Sequence, residues 1–102
     1  MDRATAWVRM DEIKRRMFLK NEIKKEFLTA IKRSKVVPFT RRYQAACYLS
    51  TLPRLSSVTQ VRNRCVLSGR VWSVNKKTRY GRFTLRNNAY NSNIPGLARA
   101  SW

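Results

Sequence analysis

The feature that most restricts this chain is a missing one: from Phe27 to Trp102, 76 residues carry 15 Lys and Arg but not one Asp or Glu. All five acids (Asp2, Asp11, Glu12, Glu22 and Glu26) fall in the first 26 residues, beside eight bases. A self-contained globule intersperses both signs on its surface, so a run of this length needs a neutralising partner. A disordered tail is a poor alternative, because such tails lack aromatic and β-branched residues. This stretch holds Phe39, Tyr43, Tyr48, Val66, Val71, Trp72, Val74, Tyr80 and Phe83. The pattern points to a chain that becomes ordered against a polyanion.

Length sets the scale of what can be buried. With 102 residues and a net charge of +18, the chain is at most one domain with a small core. The expected fold class is mainly α with extended and irregular segments. A long helical region spans roughly 4–33, because Gly and Pro are absent there and Lys, Glu, Met, Leu and Ile abound. Leu19, Ile23, Phe27, Ala30 and Ile31 form one apolar stripe at helical spacing, with Met10, Ile13 and Met17 upstream. Asp11–Arg15 and Glu12–Arg16 are acid-first pairs four apart, and Asn21 marks a candidate break. A helix this long, with so little chain left to cover it, suggests docking against another molecule; a simple helical hairpin is the competing reading.

Pro38 closes that region, since the residue before proline avoids helical dihedrals. Thr40 is placed to cap a short second helix through Leu49, which Pro53 stops. Leu52–Ser57 reads as a proline-marked loop. Beyond it come the basic run Arg62-Asn63-Arg64, a Ser68-Gly69 turn signal, and a loop or hairpin. A final short helix opens near Gly81 and ends before Ile94-Pro95-Gly96. The expected organisation is an N-terminal helical region (1–37), a short helix and loop (38–60), and a C-terminal module (61–102).

Several function classes find no support. There is no His, and the adjacent acids Asp11 and Glu12 point to different faces of a helix. Neither GxxxxGK[ST] nor GxGxxG occurs. Cys65 beside Arg64 has no base to make it a catalytic nucleophile, and Cys47 and Cys65 show neither disulfide nor zinc spacing. Enzymatic activity and a small-molecule substrate are therefore not expected. No apolar run nears the roughly 20 residues of a membrane span. Asp11, Glu12, Glu22 and Glu26 also argue against a Trp7–Ile31 membrane-surface helix, whose polar face should be basic.

RNA recognition asks for cations that meet phosphates and flat side chains that stack on bases. Arginine serves both purposes through its planar fork. The second half of the chain carries Arg54, Arg62, Arg64, Arg70, Arg79, Arg82, Arg86 and Arg99, interleaved with Trp72, Tyr80, Tyr90 and Trp102. Phe83 and Leu85 read as core residues. The candidate RNA-binding set is Arg54, Arg62, Arg64, Arg70, Lys76, Lys77, Arg79, Arg82, Arg86 and Trp102. The rival from another class is a histone-like DNA-compacting protein, which shares the charge but binds duplex DNA.

At these motifs the sequence resembles a known family, small-subunit ribosomal protein fourteen in universal numbering. Leu52-Pro53-Arg54 with Ser56-Ser57 is similar to its LPRxSS segment, and Arg62-Asn63-Arg64-Cys65 to its RNRC run. Ser68-Gly69-Arg70 resembles its [ST]GR turn, Arg82 and Arg86 its SRxxxR stretch, and Ile94-Pro95-Gly96 with Ala100-Ser101-Trp102 its C-terminal ending. The resemblance implies a structural constituent of the small ribosomal subunit, placed in the head and clamping ribosomal RNA. It also implies contacts with small-subunit proteins three, ten and nineteen. Relatives with a CxxC-x₁₂-CxxC zinc site would place its ligands at Cys65, Ser68, Gly81 and Thr84. Only Cys65 is a typical zinc donor, so this resembles the zinc-free form and no cofactor is expected. Departures cluster between Val71 and Gly81. Ser73-Val74 and Arg79, where glycine is usual, are similar to mitochondrial members. Early acids are unlike a cleavable presequence. These features favour a mitochondrial ribosome, with the bacterial cytoplasm as the alternative.

Overall fold

The computed structural model describes residues 3–102 apart from the Arg3 side chain; Asp2, one of the acids counted above, lies outside it. Three helices carry the described chain: α1 (Arg3–Arg33), α2 (Phe39–Thr51) and α3 (Arg82–Tyr90), with single 3₁₀ turns at Arg54–Ser56 and Val58–Gln60. The mainly helical reading is correct. None of these helices is both long and apolar enough to cross a membrane.

α1 runs through Asn21 without the break expected there. The Asn21 side-chain amide donates to the Met17 carbonyl at 2.9 Å, so it bonds back along the helix rather than drawing the backbone out of it. Both acid-first pairs form, Arg15 Nε to Asp11 Oδ2 at 2.8 Å and Arg16 Nη2 to Glu12 Oε1 at 2.5 Å. On an exposed helix each contributes a few tenths of a kcal/mol. The Ser34 N–H bonds to the Ala30 carbonyl at 3.0 Å, and Pro38 then separates α1 from α2.

Pro38 itself stands at the N-cap of α2, with no side-chain cap. Thr40 therefore lies inside the first turn and does not cap it. Proline is preorganised for a helix entry and lacks a donor to satisfy, so it takes the position that spacing had assigned to threonine. At the other end Ser50 and Thr51 return their hydroxyls to the Cys47 and Tyr48 carbonyls at 2.6 and 2.7 Å.

The contacts divide the chain into two compact units. Residues 10–61 form one of them. Leu28, Ala45 and Ser56 are buried there, Arg42 Nε donates to the Lys32 carbonyl at 3.3 Å, and Ser56 Oγ to that of Pro53 at 2.5 Å. An open cleft of ≈ 450 Å³ lies among Lys25, Thr29, Leu49, Leu52, Pro53, Arg54, Ser56, Ser57, Thr59 and Gln60.

Residues 1–9 and 62–102 form the other unit, so the first turns of α1 pack with the C-terminal segment. The Cys65–Arg70 turn is closed by Cys65 N–H to Arg70 O at 2.9 Å and Gly69 N–H to Cys65 O at 3.0 Å. Gly69 has φ +72°, and a Cβ there would stand 2.9 Å from Val8 Cγ2. Backbone conformation and the approach of α1 both require glycine.

The segment from 71 to 81 is a tight loop. A Val74–Gly81 antiparallel bridge joins its ends. Asn75 N–H bonds to Tyr80 O at 3.0 Å and Arg79 N–H to Asn75 O at 2.8 Å, while Asn75 Oδ1 accepts the Lys77 N–H at 2.9 Å. Ser73 and Arg79 take left-handed φ values of 57° and 59°. Gly81 precedes the first residue of α3, where the final helix was expected to begin.

Very little of this is core. Leu28, Ala45 and Cys65 are the buried apolar residues among those described.

Candidate nucleic-acid interface

The candidate residues divide between the two units. Arg54, exposed in the first 3₁₀ turn, belongs with residues 10–61; the other nine belong with the C-terminal unit. Arg62 is exposed on the extended stretch entering the Cys65 turn. Lys76 and Lys77 are exposed at the tip of the 71–81 loop, and Arg79 is exposed on its returning limb. Trp102 is fully exposed at the chain end.

Arg64 differs from these. It is half-buried, donates from Nη1 to the Gly69 carbonyl at 3.1 Å, and lies over the Trp7 ring at 6.0 Å. Its guanidinium holds the 65–70 turn against the start of α1, work internal to the fold.

Arg70, Arg82 and Arg86 are brought together, with Arg99, on α3. Arg82 and Arg70 lie 4.6 and 5.0 Å from the centroid of Phe83; Arg86 and Arg99 lie 5.6 and 5.5 Å from that of Tyr90. Arg86 Nε also donates to the Tyr90 hydroxyl at 3.2 Å. Phe83 was expected in the core. It is 50% exposed, because α3 has no apolar layer to bury it and guanidiniums cover it instead. Each exposed cation–π contact is worth about 0.5–1 kcal/mol. Two like charges 6–10 Å apart in water repel by about 0.4–0.7 kcal/mol. The rings therefore offset the repulsion that crowding four arginines creates. Arg99 and Tyr90 stood in the sequence only within the basic, aromatic second half and not among the candidate residues, and Phe83 was placed in the core; the spacing 82, 86, 90 on a helix was the available signal for the Arg86–Tyr90 platform.

The four positions aligned with zinc ligands also meet. Cys65 Sγ lies 3.5 Å from Thr84 Oγ1 and accepts the Ser68 N–H at 3.5 Å; a Cβ on Gly81 would stand 3.6 Å from it. One thiol, two hydroxyls and a glycine do not make a tetrahedral zinc donor set. Among the described residues no three His, Cys, Asp or Glu side chains gather. Burial would raise the Cys65 pKa. Hydrogen bonds from the Ser68 and Thr84 side chains and from the backbone at Ser68 and Gly81 outweigh it, lowering the thiol from 9.0 to about 6. These hydrogen bonds tie Cys65 to its own turn and to α3.

A sequence profile of the ribosomal protein S14p/S29e family matches residues 48–101, which include both the Cys65 cluster and α3. The chain belongs to that family. Small ribosomal subunit protein uS14 of Rhodospirillum centenum is 38% identical over 95 residues, covering 93% of this chain and 94% of the relative. The uS14 proteins of Bradyrhizobium diazoefficiens (40% identical, 87% and 89% covered) and Maricaulis maris (40%, 78% and 78%) are similarly close. The match with the first of these includes much of α1, where the sequence had offered no motif. These relatives are bacterial and give no support to the mitochondrial assignment.

Proposed function

We infer that this S14p/S29e family member is a structural constituent of the small ribosomal subunit that clamps ribosomal RNA in the head. One observation carries the clamp: the C-terminal unit pairs an almost absent core with a dense set of exposed bases in an acid-free segment. Phosphate contacts from Arg62, Arg70, Lys76, Lys77, Arg79, Arg82 and Arg86 then supply the cohesion that buried side chains do not. Arg64 acts from inside, by fixing the turn that presents its neighbours. Trp102 is available for stacking on a base.

The exposed face of α1 supports a second attachment. Leu19, Ile23 and Phe27 are 64–82% exposed on one stripe, and Phe39 and Tyr43 stack with centroids 6.4 Å apart in the same unit. Neighbouring small-subunit proteins, of which three, ten and nineteen are those the resemblance implies, fit such a surface better than phosphates do. The role is non-catalytic and needs no zinc, since the donor set at Cys65 is wrong for it. The bacterial relatives favour a bacterial cytoplasmic ribosome; only Ser73-Val74 and Arg79 speak for an organellar one, and cell fractionation separates the two.

Sedimentation tests the clamp. Lys76→Ala with Lys77→Ala, at a loop tip remote from any packing role, is expected to reduce incorporation into small subunits severalfold. Full incorporation of that variant rejects the assignment of Lys76 and Lys77 to the clamp, whereas co-purification of the wild type with chromatin in place of ribosomal particles rejects the reading in favour of the DNA-compacting rival.

A further inference from the structure

We propose that Arg70, Arg82, Arg86 and Arg99, stacked two to a ring on Phe83 and Tyr90, form one continuous seat for consecutive phosphates of a single RNA strand lying along α3. The proposal rests on the RNA-clamp reading and names where on the chain one strand is held. It adds Phe83 to the binding machinery and gives Arg99 and Tyr90 a defined place in it.

Three separate stretches of sequence supply the four cations: the Cys65–Arg70 turn, α3 itself and the C-terminal segment after Gly96. On a helix, residues 82, 83, 86 and 90 fall within about 100° of one another, so two rings and two guanidiniums share a stripe. Arg82 and Arg86 are separated by about 6 Å along the axis, and Phe83 and Tyr90 by about 10 Å. Arg70 reaches the first ring at 5.0 Å and Arg99 the second at 5.5 Å, so each end of the stripe is doubly charged. All four arginines and both rings are exposed.

Rings so exposed do no work as core. What they do is hold guanidiniums by their faces, which leaves N–H donors in the guanidinium plane to meet anion oxygens in pairs. A lone phosphate would engage one end of the stripe. A chain of phosphates engages both, and gathering four like charges in a segment free of carboxylates fits a polyanion rather than a single ion. An acidic peptide is the competing occupant, and the assay below includes it.

The experiment measures binding of the full chain to a transcript of the small-subunit ribosomal RNA between about 50 and about 200 mM salt. Arg70→Gln with Arg99→Gln is expected to lower the log–log salt slope by about 1.4–1.8, two phosphates' worth. Arg70→Lys with Arg99→Lys keeps the charge, so the slope should stay near wild type while affinity falls. Lys76→Gln with Lys77→Gln serves as the reference for phosphate contact elsewhere. A wild-type chain indifferent to RNA removes the clamp reading and the seat with it. If the Lys76 and Lys77 variant lowers the slope and the Arg70 and Arg99 variant does not, the clamp stands and the seat is wrong. Should polyglutamate, and not RNA, lose affinity on the Arg70 and Arg99 substitutions, the seat belongs to a protein partner and the proposal is overturned. On the unaltered chain, RNA is expected to protect Arg70, Arg82, Arg86 and Arg99 from phenylglyoxal; four unprotected arginines in a bound complex contradict it even if every variant misfolds.

Discussion

At the residue scale the informative positions are those where side chain and backbone disagree. Arg79 has φ 59°, in the region that favours glycine, and its N–H is tied to the Asn75 carbonyl at 2.8 Å, so the loop cannot relax away. Left-handed backbone costs a residue with a Cβ about 1–2 kcal/mol. If Arg79 meets a phosphate, as proposed, that contact offsets the cost. Comparing Arg79→Gly with Arg79→Ala removes the charge from both and isolates the backbone. The glycine variant is expected to be the more stable by about 1 kcal/mol in thermal melts of the RNA complex. Equal melting temperatures would show that the loop is not strained there.

Cys65 is the second such residue, a thiol 3% exposed whose pKa is nonetheless lowered to about 6. The folded value lies below the unfolded one, so thiolate formation stabilises the fold fully above about pH 9. That contribution shrinks as pH falls, by about 1.4 kcal/mol per pH step, and is gone below about pH 6. In a Cys47→Ser background, the alkylation rate of assembled particles is expected to rise with a midpoint near pH 6. A midpoint near 9 means the sulfur is a neutral packed thiol. The cause of the shift was not readable beforehand. The sequence shows Cys65 beside Arg64, whereas the shift comes from Ser68, Gly81 and Thr84, which only the folded turn assembles.

Among the elements, α1 and α3 were legible and the 71–81 loop was not, for a physical reason. Helices declare themselves locally: no Gly or Pro between Arg3 and Arg33, Pro38 beyond one end, Gly81 before the other helix. The 71–81 loop is held by Asn75 with Lys77, Arg79 and Tyr80, in left-handed conformations adopted by serine and arginine, residues that do not advertise them. The stripe on α1 was read correctly as a face, and structure adds that its own chain leaves it open. Ile23 is 82% exposed while Leu28, off the stripe, is the buried residue. Ile23→Lys with Phe27→Lys should therefore leave the helicity of the free chain nearly unchanged, since no intrachain packing is lost and lysine is a good helix former. Association with small-subunit particles should weaken at least tenfold. A large drop in free-chain helicity would mean the stripe packs internally after all.

For the molecule as a whole, the scarcity of buried apolar residues among those described decides what kind of folding to expect. Backbone ordering costs about 1–2 kcal/mol per residue, and Leu28, Ala45 and Cys65 as the buried apolar residues cannot offset that over a hundred residues. On the clamp reading the balance comes from contacts made outside the chain, chiefly neutralisation of the acid-free segment. Hydrogen exchange separates the parts. In the free protein, amides of α1 should show weak protection from helix formation alone. Those of the Cys65–Arg70 turn, the 71–81 loop and α3 should exchange at nearly unfolded rates. In assembled subunits the same amides, Cys65 and Gly69 above all because their N–H groups close the turn, should be protected by several orders of magnitude. Protection of the turn in the isolated chain at moderate salt would show that its hydrogen bonds hold without phosphate, and that the cations are carried by the fold instead of completing it.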